Sequence, residues 1–114
     1  MAIQDWSERI TVVELSEDPQ FTDELAALMD RLAKKSTDVV LNFAAVSFVN
    51  SSNISRLLRL RRAMITNQRR LILCGINSQA WGVFLVTGLD KIFEFVDDMA
   101  TALATIQLAS SKGG

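Results

Sequence analysis

The sequence predicts an α/β or α+β fold, a mostly parallel sheet in one small layer pair, and three observations carry that expectation. Short apolar, β-branched runs alternate with longer stretches of helical apolar spacing, as crossover units require. Cap and turn residues stand at nearly every junction between them. The 114 residues suit one domain with its own core, placed here at 1–109 with a flexible tail at 110–114.

The first strand signal is RITVVEL, residues 9–15, expected to be free to lie antiparallel or on an edge. After it, Asp18 can cap a helix and Pro19 can take its first position. Residues 19–35 then read as helix, with Phe21, Leu25, Leu28, Met29 and Leu32 on one face and Lys34 and Lys35 at the end where the helix dipole favours cations. DVVLNF, residues 38–43, reads as a buried strand that continues through Ala44, Ala45 and Val46. Residues 51–66 read as the second helix, with Ile54, Leu57, Leu58, Met64 and Ile65 as its apolar positions. RRLILCGI is the next strand. Asn77 caps a third helix that ends near Gly88, where a left-handed residue is wanted. KIFEF is the last strand, and Asp97 opens a final helix running to Ala109.

Composition excludes several function classes. The chain is 49% hydrophobic and 22% charged, as a folded domain should be, and its net charge of −1 creates no field that would gather nucleic acid or anionic membrane. There is no histidine, and the single cysteine, Cys74, lies in an apolar run that suggests a buried structural thiol. Histidine acid–base chemistry, Cys–His nucleophiles and ordinary zinc sites therefore fall away. The five glycines match neither a dinucleotide-binding loop nor a P-loop, so no cofactor is expected. No apolar stretch nears the roughly 20 residues of a membrane span and the first residues lack the features of a signal peptide, which leads to a cytoplasmic expectation.

The stretch FVNSSNISRLLRLRR, residues 48–62, holds the chemistry that remains. Its serines fall at the carboxyl end of a strand and the amino end of a helix, where unpaired N–H groups and the helix dipole favour negative charge. Phosphate on Ser52 would gain hydrogen bonds there. Asn50, Ser51 and Ser52 are equally good helix caps, so the stretch reads either as a cap or as a switch. Serine catalysis has no support, because neither a nucleophile elbow nor an S-x-x-K spacing is present.

Arg56, Arg59, Arg61, Arg62, Arg69 and Arg70 make the second helix and its exit basic. They form either a solvated face, with acidic residues from Asp90 to Asp98 as partners, or a docking face for an acidic protein surface. Nucleic acid fits less well, since no aromatics are interleaved. Trp81 reads as core or half-buried beside Val83, Phe84 and Val86. Trp6 is open to either reading.

DVVLNFAAVSFVNSSNISRLLRLRRAM, followed by RRLILCGINSQAWGVFLVTGLDKIFEFVDDMATAL, resembles the STAS domain of bacterial anti-sigma factor antagonists. That family shows a strand, an apolar stretch leading to a DSSG loop, a helix, a strand ending near CG, and a TGL-KIF segment before a last acidic-headed helix. The match covers residues 38 to about 104. Residues 1–37 match in outline, with little room for the family's usual opening strand.

The resemblance implies a four- to five-stranded mixed sheet packed against about four helices, acting by protein binding and not as an enzyme. In the family, an anti-sigma factor that is also a serine kinase of the histidine-kinase ATPase fold phosphorylates the second serine of the loop. The unphosphorylated antagonist sequesters the kinase, and a phosphatase resets it. Carried over, Ser52 is the phosphoacceptor, Ser51 the secondary candidate, and Asn50, Ser51, Ser52, Asn53, Ile54 and Arg56 face the partner. Asn50 stands where the family has Asp, and Asn53 where it has Gly. Those two departures favour the alternative of a non-switching STAS module, a scaffold subunit in a regulatory or transporter-associated complex that contacts other STAS proteins.

Overall fold

The computed structural model describes residues 2–113, with side chains described as far as Leu108. Five strands form one mixed sheet in the order β1-β2-β3-β4-β5: β1 (Ile3–Asp5), β2 (Ile10–Glu14), β3 (Asp38–Asn42), β4 (Leu71–Cys74) and β5 (Glu94–Val96). β1 pairs antiparallel with β2, and the remaining pairs are parallel, with Val40 facing Val12 on one side and Ile72 on the other. The helices are α1 (Gln20–Lys34), α2 (Ser51–Thr66), α3 (Ser78–Val86) and α4 (Met99–Gly113), with a short 3₁₀ turn at Leu89–Lys91.

Each parallel strand lies beside the one before it, so crossovers of a single hand all step in one direction. α1, α2 and α3 consequently cover one face of the sheet. Val13, Val39, Leu41 and Leu73 point into that layer, against Phe21, Leu28, Leu57, Leu60 and Phe84. Alternate residues Ile10, Val12, Val40, Ile72 and Cys74 meet Ala102 and Ile106 of α4 on the other face. The expected layer pair is therefore three layers, and strands buried on both faces explain the continuous apolar runs.

Several boundaries differ from the sequence reading. The opening strand does exist, as β1, and it takes the edge position expected for RITVVEL. β3 stops at Asn42, whose Oδ1 accepts the Ala44 N–H at 3.0 Å and turns the chain. Leu58 and Ile65 are exposed, while Leu60 supplies the buried position. Asp98, and not Asp97, caps α4, accepting the Thr101 N–H at 2.8 Å. β5 begins three residues later than KIFEF because the 3₁₀ turn takes its start. Helical backbone continues to Gly113, through most of the stretch read as a tail, and Gly114 lies outside the described residues. Asn77 caps α3 as expected, and Gly88 is left-handed at φ 75°.

Candidate functional site

The loops leaving the carboxyl ends of β2, β3 and β4 converge on one rim, the usual place for a site in a parallel sheet. The loop after β2 carries two carboxylates. Glu17 accepts the Ser47 and Phe48 N–H groups at 3.0 and 3.3 Å and the Ser47 hydroxyl at 2.7 Å. From the α3 side, Asn77 Nδ2 donates to the Val46 carbonyl at 3.1 Å. The segment ahead of α2 is thus held from both sides.

Asn50 and Asn53 form a reciprocal capping box. Asn50 Oδ1 accepts the Asn53 N–H at 2.8 Å, and Asn53 Oδ1 accepts the Asn50 N–H at 3.0 Å. Both side-chain amides then donate to the same Asp18 oxygen, at 3.1 and 3.0 Å. Asp18, expected to cap α1, makes no such bond; α1 starts after Pro19 without a side-chain cap. Its other oxygen accepts the Thr22 hydroxyl at 3.0 Å. Glu17, Asp18, Phe48, Asn50 and Asn53 line a shallow cleft of about 180 Å³ beside the helix start.

These bonds favour the charged carboxylates. The Ser47 hydroxyl, then the Phe48 and Ser47 amides, hold the Glu17 carboxyl below its usual range despite some desolvation. The Asn53 amide, followed by the Asn50 and Thr22 groups, lowers the Asp18 carboxyl in the same way.

With the cap supplied by asparagines, Ser51 and Ser52 are left exposed at the first two helical positions. Their own backbone N–H groups are helix-start donors that the capping box does not use. Phe48, 64% exposed, stands just ahead of them. Asn53 is only 2% exposed and Ile54 packs into the core, so neither of these two expected contact residues faces solvent. Their burial has a simple cause: helix positions 53, 54, 57 and 60 share the face turned to α1 and the sheet. Arg56 is half-buried against α1.

The STAS domain profile matches residues 5–102. The chain belongs to the STAS domain family. Its five-stranded mixed sheet and four helices are those of the solved anti-sigma factor antagonist SpoIIAA in its unphosphorylated form, with TM-score 0.80 and 20% identity over 92% of this chain and 94% of that one. The phosphorylated form of SpoIIAA, a Bacillus cell fate determinant, superposes with TM-score 0.71 and 18% identity over 90% and 95%. An anti-sigma-factor antagonist (STAS) domain protein from Planctomyces limnophilus gives TM-score 0.77 and 18% identity over 92% and 96%. No curated protein matches the chain.

Sequence reasoning placed the serine loop within this STAS domain but missed Glu17, Asp18 and Phe48. Their roles depend on contacts some 30 residues away in the chain, which local spacing does not encode. The one available signal was that both carboxylates directly follow a strand and so must sit on the rim.

Proposed function

We propose that this STAS domain is an anti-sigma factor antagonist-type regulator in the cytoplasm. In its unphosphorylated form it binds a serine-kinase anti-sigma factor of the histidine-kinase ATPase fold, and phosphorylation of Ser52 switches that binding off. The observation that carries the reading is the division of roles at the start of α2. Asn50 and Asn53 do the capping, while the Ser52 hydroxyl stays exposed where the helix dipole favours an anion. SpoIIAA, which has the same fold, has been solved in both a phosphorylated and an unphosphorylated form, which supports the reading. Phosphate would add close to two negative charges to the contact surface and weaken a docked partner through repulsion and desolvation.

The second reading, a non-switching scaffold module, is favoured by the Asp18 brace, which ties both asparagines down and stiffens the loop. Paired capture from native lysate with wild-type and Ser52→Asp baits separates the two. The regulator reading expects a histidine-kinase-fold ATPase on the wild-type bait that is lost from the variant. Identical partners on both baits, such as other STAS proteins, would establish the scaffold.

A further inference from the structure

Two of the arginines singled out in the sequence find partners within the chain. Arg70 pairs with Glu94, and Arg61 Nε donates to the Ile92 carbonyl at 3.1 Å. Arg56, Arg59 and Arg62 carry no ion pair among the described residues. Arg56 and Arg59 flank a cleft of about 230 Å³ between α1 and α2, with Leu25, Ala26 and Met29 as its apolar wall and Asp30 at its border. The Arg56 Nε is buried with no hydrogen-bond partner among the described residues, so this side chain is not spent on a contact within the chain.

We propose that this cleft docks an acidic, amphipathic segment of a protein partner, one apolar side chain entering against Leu25, Ala26 and Met29 while flanking carboxylates meet Arg56, Arg59 and Arg62. The cleft falls short of the ~300 Å³ at which small-molecule sites begin, but its volume of about 230 Å³ exceeds that of one side chain. Arginine forks match carboxylates, and the positive charge is local in a chain of net charge −1. Nucleic acid is disfavoured by the lack of a stacking aromatic in the cleft. This inference rests on the regulator reading only in taking the occupant to be a protein, and it requires no phosphorylation.

The test uses the unphosphorylated full chain and a labelled amphipathic peptide of Leu, Ala and Glu, beside a twin with Gln for every Glu. The Glu peptide should bind at least about tenfold more tightly than its twin, and shift the amide resonances of Leu25, Met29, Arg56 and Arg59. Arg59→Glu, at an exposed position, should cost about tenfold. Ala26→Phe, which fills the cleft without changing charge, should do the same, while Lys91→Glu should leave binding unchanged. Equal binding of both peptides, shifts confined to another surface, or displacement by a single-stranded oligonucleotide would overturn the inference. Because no kinase takes part, such a failure leaves the Ser52 reading standing.

Discussion

One Asp18 carboxylate oxygen accepts hydrogen bonds from both Asn50 and Asn53, at 3.1 and 3.0 Å. A residue ahead of α1 thereby fixes the start of α2, and with it the direction in which Ser52 is presented. Asp18→Ala should destabilise the fold by about 1–2 kcal/mol, since two amides lose a charged acceptor in a site that water still reaches. The same carboxyl has a lowered folded pKa, with Asn53 as the largest cause. Its contribution is therefore present above the ordinary aspartate value of about 4 and fades as pH falls through the folded value. Denaturant melts of both proteins should show a gap at pH 7 that closes in acid. A gap independent of pH would mean that Asp18 acts through packing alone.

The two asparagines that depart from the family's DSSG loop are explained by the same oxygen. Asn50→Asp keeps a good helix cap but replaces a donor with a second carboxylate beside Asp18. The substitution should cost about 1 kcal/mol at neutral pH. In an Asp18→Asn background the cost should largely vanish, because the new amide can donate to the new carboxylate. Chemical denaturation of the four proteins gives the coupling, and additive effects would refute it.

Much of the fold was legible because its determinants are local. Alternating apolar runs gave β2 to β4, and Asn77 with Gly88 bracketed α3 correctly. What spacing could not show was non-local. β1 contributes a single partly buried residue, Ile3, to the main core and is held by pairing with β2, so three residues carried too little pattern. The apolar face of α2 was misjudged at Leu58 and Ile65 because a leucine-rich helix offers more apolar positions than one face can bury. At the rim, the start of α2 at Ser51 and Ser52 was legible from the cap residues that follow a strand. The Asp18 brace was not, because Asp18 next to Pro19 looks like a local cap.

Cys74 illustrates a local reading that holds. It is fully buried between the sheet and α4, and desolvation, helped by Asp98, pushes its thiol up to about 11. Since the thiolate is the reactive form, an Ellman-type reagent at pH 8 should label the native chain at a rate set by unfolding, and label it at once in denaturant. Rapid native labelling would show that α4 opens readily from the sheet.

Ser52→Asp should separate folding from binding. The residue is exposed at the second position of α2, where a negative charge meets the positive end of the helix dipole. Stability should therefore rise by about 0.3–1 kcal/mol relative to Ser52→Ala, with the larger effect at low ionic strength. Partner capture should change in the opposite sense, lost with Asp and kept with Ala. A variant that lost its partner because its fold was damaged would melt earlier, so a higher melting temperature together with lost capture isolates the charge at position 52 as the cause. If Ser52→Asp instead melted below Ser52→Ala, the carboxylates of Glu17 and Asp18 would outweigh the dipole, and a phosphate there would act by loosening the start of α2.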